Sequence, residues 1–184
     1  MKKKVWKLFC DYEKEEVWIN EMAKRGLALT DYTFARYTFD ECERGEYIYR
    51  IERLDNKMDN AERDRYISFM EENGAEHIAD YFAWIYFRKK AKDGTFVIYS
   101  DLESRIKHYK GIADTMLIMG FAELCISFSQ ISTIIDYIRG EAVYGGFRIV
   151  LSAMIIIITV MFFGFWIKYA KKISKLRRER EIHE

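Results

Sequence analysis

Two long apolar stretches, Ile112 to Tyr137 and Phe147 to Tyr169, stand almost end to end in the last third of the chain. Each exceeds the roughly 20 mostly apolar residues needed to cross a bilayer. The segment between them, Ile138 to Gly146, is long enough only to turn the chain round. A transmembrane hairpin is therefore expected, and it constrains the rest. The soluble residues fall into one block before the hairpin, 1–111, and a short tail after it.

Charge predicts the orientation. Lys and Arg gather on the cytoplasmic side of spanning helices. Arg105, Lys107 and Lys110 precede the first span, and Lys168, Lys171, Lys172, Lys175, Arg177, Arg178 and Arg180 close the second, whereas the connection sets Arg139 against Glu141. Both termini are expected in the cytoplasm, in a two-span membrane protein. The start, Met1 to Lys4, is basic like the head of a signal peptide. Lys7 and the acidic residues that follow leave no apolar core for one, so none is expected.

The net charge is +1, and the tail supplies most of the positive excess. The soluble block is close to neutral by itself, which disfavours direct nucleic-acid binding. The 3 cysteines, Cys10, Cys42 and Cys125, lack paired spacing, and His77, His108 and His183 have no His or Cys one turn away. Neither a disulfide framework nor a metal site is predicted, and no cofactor is implied. No Gly-rich phosphate loop, nucleophile elbow or His-Glu-x-x-His helix occurs, so an enzyme is not expected.

The soluble block reads as one α+β domain. Val5 to Phe9 predicts a strand, and Asp11 caps a helix that carries Trp18, Ile19, Met22 and Ala23 and stops at Gly26. Strands follow at Leu27 to Tyr32, Phe34 to Asp40 and Glu46 to Leu54. A second helix, Ala61 to Asn73, is capped by Asp59 or Asn60 and ended by Gly74. Ala75 to Lys90 predicts one or two aromatic-rich strands, and Thr95 to Tyr99 another. Ser100 and Glu103 form a capping box for a helix running into the first span. The order predicts a two-layer sandwich, ferredoxin-like or related, with both helices on one face of a sheet. The expected organisation is a cytoplasmic domain 1–100, a coupling helix 101–111, spans 112–137 and 147–169 joined by an external turn 138–146, and a basic tail 170–184.

Trp18-x-Asn20-x-Met22 with Gly26, Gly45-x-Tyr47-x-Tyr49-Arg50-x-Glu52, Trp84-x-Tyr86-Phe87-x-Lys89, and Ser100-Asp101 with Ser104 and Tyr109 resemble, in that order, domain-of-unknown-function family 2812. Leu27 departs from the pattern, since relatives usually carry Trp there. The resemblance implies a bacterial protein with a similar cytoplasmic domain followed by two spans. It implies no activity and no catalytic residues. It also implies a frequent gene neighbour, a PadR-like transcriptional regulator, and hence a protein partner for a signalling or sensory role.

Candidate binding residues lie in both parts. Arg50 and Glu52 share a strand face, with Arg36 and Thr38 expected across from them. That polar line fits an anion or acidic partner, or an exposed cross-strand ion pair. Trp84, with Tyr47, Tyr49, Tyr81 and Tyr86, fits either a ligand-lining set or a core. Glu13, Glu15, Glu16 and Glu21 are expected on a solvated helix face. In the first span Glu123 is costly if it faces lipid, and Gly120, Ser127 and Gln130 share its face. Three readings fit Glu123: a protonated carboxyl bonded to Thr159 or Gln130, a contact between two first spans in a homo-oligomer, or a sensing or ion-conducting group. Lys171, Lys172, Lys175, Arg177 and Arg178 are expected on lipid headgroups, with Tyr169, Ile173 and Leu176 toward the membrane from a surface-lying helix.

Overall fold

Asp11 and Asp59 each start a helix of 13 residues, and Gly26 and Gly74 each follow its end with positive φ. The two pairs are displaced by the same 48 positions. This spacing is the first sign of how the N-terminal part is built. A computed structural model describes residues 2–54, 58–98, 102–140 and 146–183. The chain divides into two compact units, 1–98 and 99–184.

The first unit contains β1 (Lys3–Trp6), α1 (Tyr12–Lys24), β2 (Leu27–Thr33), β3 (Arg36–Glu41), β4 (Tyr47–Arg53), α2 (Asn60–Glu72), β5 (Glu76–Tyr81) and β6 (Trp84–Lys90). These are two copies of one β-α-β-β plan. In each copy the strands form a three-stranded antiparallel sheet with the third strand in the middle: β1-β3-β2, then β4-β6-β5. The register repeats as well. Leu29 pairs with Phe39 and, past a bulge, Asp31 with Thr38; His77 pairs with Phe87 and, past a bulge, Ala79 with Tyr86. Each helix sets an aromatic ring on the same strand position, Trp18 on Phe39 at 5.8 Å and Tyr66 on Phe87 at 6.3 Å.

The α+β plan is as the sequence predicts, but a single sheet is replaced by two, and the helices do not share a face. Alternate residues of a strand point to opposite faces. Tyr86 turns toward α1, joining Ile19, Met22, Ala23, Leu29, Tyr37, Phe39, Tyr49 and Ile51 in one core cluster. Ile85 and Phe87 turn the other way, into a second cluster with Met70, Leu54 and Phe96 on the α2 side. The bulge follows Leu29, whose carbonyl accepts from Tyr49 Oη at 3.4 Å and Arg88 Nη1 at 3.3 Å. Those bonds, with the Tyr32 ring tilted against Tyr86 at 4.8 Å, join the sheets. Thr95 to Ile98 form no strand; Phe96 is a buried plug after a short 3-10 turn. Tyr99, Ser100 and the proposed capping box lie outside the described residues.

The second unit is an antiparallel pair, α3 (Leu102–Ile138) and α4 (Gly146–His183), both long and apolar enough to cross a membrane. Only 17% and 11% of their most apolar windows are buried inside the unit, so most of that surface is left for lipid, unlike the core helices of a soluble protein. Ile106, Ala113, Gly120 and Ser127 recur every seven residues and are buried, which keeps one stripe of α3 on its partner. At Gly120 an added Cβ would lie 3.4 Å from the Phe163 ring, so glycine sets the approach of the helices there.

Candidate functional site

The buried stripe of α1 is Glu15, Ile19, Met22 and Ala23, with a carboxylate at its first position. Asp11, whose side chain accepts from Glu13 N, fixes the helix start. That start places Glu15 one turn before Ile19, at the junction of the two sheets. Glu15 is 7% exposed. Its Oε1 accepts from Tyr37 Oη of the first repeat at 2.8 Å and from Tyr86 Oη of the second at 2.6 Å. Rings surround it: Trp18 and Tyr32 lie 4.8 and 4.7 Å from Tyr37, and Tyr12 lies 4.8 Å from Trp84. Both of its partners are neutral phenols. Burial pushes the Glu15 carboxyl above its ordinary range, and the Tyr86 and Tyr37 hydroxyls offset only part of that. Burial, then the carboxylate beside them, raises both phenols far above theirs.

The next two polar residues of α1 serve the edge of β4. Glu16 Oε1 meets Arg50 Nη1 at 2.9 Å, and its Oε2 accepts from Ile51 N at 2.9 Å. Asn20 donates to Tyr49 O at 3.0 Å and accepts from Tyr49 N at 2.9 Å, as a neighbouring strand would. The free edge of the second sheet is thereby covered by helix side chains. Burial raises the Glu16 carboxyl too, against the opposing pull of Ile51 N–H and Arg50. The expectation that Glu15 and Glu16 sit on a solvated face is overturned. The signal was present in the sequence: Glu15 stands in the i, i+4, i+7 series of Ile19 and Met22.

The polar line predicted on an open sheet does not form. Arg36 lies on β3, which pairs with β1 and β2, so no ladder joins it to β4. Arg50 is tied to Glu16 and donates through Nε to Phe96 O at 2.9 Å. Glu52 is 5% exposed and accepts from Tyr66 Oη of α2. These are partly buried contacts between elements, and Arg36 Nε is itself buried with no hydrogen bond to a described residue. Trp84 is half-buried and its ring packs at a tilt against Tyr12 at the rim of the Glu15 cluster. Sequence reasoning missed Glu15 and Tyr37 as site residues and grouped Tyr86 only with other aromatics.

Within the hairpin, Ser127 and Thr159 hydroxyls bond at 2.6 Å, and Ser152 Oγ donates to Gln130 Oε1 at 3.0 Å. The polar seam exists, but Glu123 is outside it. Thr159 and Gln130 are engaged elsewhere, and no described residue hydrogen-bonds the half-buried Glu123. The tail is not a surface-lying helix. It continues α4, with Tyr169 and Leu176 buried in the helix pair and Tyr169 stacked on Tyr109 at 6.0 Å. Lys172 lies over the Tyr109 ring at 4.2 Å, Lys175 approaches Glu179 at 3.9 Å, and Lys171, Arg177 and Arg178 are exposed.

Comparison with protein families matches residues 11–121 to DUF2812, described as a protein of unknown function. The match runs from the cap of α1 into α3. No curated protein and no solved structure matches the chain.

Proposed function

The chain belongs to the DUF2812 family, and from that premise we propose a membrane-anchored regulatory module. Its two-repeat domain, held on the cytoplasmic side, binds a ligand or protein partner and couples that event to the membrane helices. The observation that carries this reading is Glu15, a carboxyl held between the two repeats by neutral hydroxyls alone. A side chain serving only stability would be apolar there, because burying a carboxylate without a cation is costly. An ionisable group kept at such a place is poised to change state when a charge or a partner arrives.

In the finer form of the proposal the partner is a PadR-like transcriptional regulator, retained at the membrane in one state and released in the other. The family's usual gene neighbourhood supports that form. A second reading makes the hairpin the working part of a membrane-stress, peptide-resistance or transport accessory. Glu123 favours it, since an acid without a hydrogen-bond partner among the described residues calls for one from another chain.

The test is crosslinking in native membranes, then affinity capture of the full chain, its Glu15→Gln variant and a hairpin-only chain, with mass spectrometry. The first reading predicts a soluble regulator enriched by the full chain, changed in yield by Glu15→Gln and absent from the hairpin. Capture of the same membrane proteins by all three, with no soluble partner, rejects it in favour of the hairpin.

A further inference from the structure

Where α3 enters its apolar stretch, α3 and α4 part around a cavity of about 440 Å³. The opening has a local cause. Ala113 and Ala170 both line it, and two methyl side chains leave room that larger residues would fill. Lys110, Arg177 and Arg178 also line it, with Asp114, Ser174 and Trp166. Three cations thus face one carboxylate, and none of the three forms an ion pair with a described residue.

Three other cations of the tail are occupied differently. Lys172 is over Tyr109, Lys175 is near Glu179, and Lys168 is over its neighbour Tyr169 at 4.9 Å. The unpaired guanidinium groups are at the cavity, which Trp166 also lines, a residue type that favours the boundary between headgroup and acyl chain. Its volume lies within the range of about 300 to 1,000 Å³ typical of small-molecule sites.

We propose that this cavity is a binding site for the phosphodiester headgroup of an anionic membrane lipid, the phosphate held by Lys110, Arg177 and Arg178. Guanidinium groups suit this role because their paired N–H donors match two phosphate oxygens. Basic pockets between helices at a membrane face take such headgroups. Ser174 Oγ offers a donor or acceptor to the polar end of the headgroup, and Trp166 flanks the first part of its acyl chains. The site lies wholly within the helical unit and is independent of the Glu15 reading.

The experiment is native mass spectrometry of the full chain released from detergent micelles, titrated with phosphatidylglycerol or phosphatidylcholine. Inorganic phosphate serves as a competitor. The wild-type chain is expected to retain one phosphatidylglycerol about tenfold more tightly than phosphatidylcholine. Arg177→Gln/Arg178→Gln should abolish that preference, while Lys171→Gln/Lys175→Gln, removing the same charge from the same helix, should leave it within about twofold. All four positions are exposed, so both doubles should fold. Equal losses in both doubles would mean a diffuse tail field and overturn the site. Equal retention of the two lipids would overturn it too. Displacement of phosphatidylglycerol by an equal concentration of inorganic phosphate would reassign it as a free-phosphate site.

Discussion

The two β-α-β-β repeats share caps, register and bulge, yet their helices live in different surroundings. On α1 the buried residues are Glu15, Ile19, Met22 and Ala23; on α2 only Met70 is buried. The position corresponding to Glu15 is Arg63, a half-exposed cation paired with Asp80 at 2.5 Å. The reason is geometric. α1 touches its own sheet and the second repeat's as well, whereas α2 covers only the outer face of its own. Duplicating a plan therefore produced one central helix and one peripheral one. The polar residue that became central is the unusual one.

The largest test of that difference is a pair of corresponding isoleucines. Ile19→Ala, at a fully buried position, should cost about 3 to 4 kcal/mol, and Ile67→Ala, half-buried on α2, about 1 kcal/mol. Thermal unfolding of the full chain in detergent reads both, and equal losses would remove the distinction between the helices.

The corresponding glycines sharpen it. A Cβ at Gly26 would meet Cys42 O at 3.0 Å, whereas at Gly74 the nearest atom is the mobile Lys89 Cε at 3.8 Å. Both have φ near +80°, at +85° and +81°. Gly26→Ala should thus cost about 2 kcal/mol and Gly74→Ala about 1 kcal/mol. The same melts decide it.

Glu15→Gln should act in the opposite direction. Both tyrosine hydroxyls bond the same oxygen, which glutamine retains, so the variant loses the buried charge and keeps the bonds. It should gain about 1 kcal/mol at neutral pH, while Arg63→Gln loses about 0.5 kcal/mol. The pH dependence follows from the raised carboxyl. The folded chain holds this proton more tightly than the unfolded one. Stability is therefore full below the ordinary value of 4.5 and declines as pH rises toward the raised one. Glu16 adds a decline of the same sign, so Glu15→Gln should flatten the slope above pH 4.5 without abolishing it. A wild-type slope unchanged in the variant would mean that Glu15 is not buried as described.

The smallest effect belongs to the helical unit. Ser127→Ala should cost about 1 kcal/mol, because Thr159 can still bond its own backbone at Ile155 O, 3.0 Å away. Reversible unfolding in micelles is the measure.

Sequence by itself determined the local elements. Asp11 with Gly26 and Asp59 with Gly74 mark helix ends through groups a few residues apart, and bilayer thickness converts two apolar runs into two spans. The repeat was legible as well: Ile19, Met22, Phe34, Ala35 and Phe39 recur 48 positions later as Ile67, Met70, Phe82, Ala83 and Phe87. Reading strand by strand passed over it, since identities that sparse show only when the chain is aligned with itself. Tertiary structure alone decided which strands pair, and so kept Arg36 from Arg50 and carried Tyr37 and Tyr86 to one oxygen of Glu15. Strand order and the meeting of two sheets depend on contacts far apart in the chain, which no local period encodes. A glutamate one turn before Ile19 fits a solvated helix as well as a buried one until a second sheet closes over it.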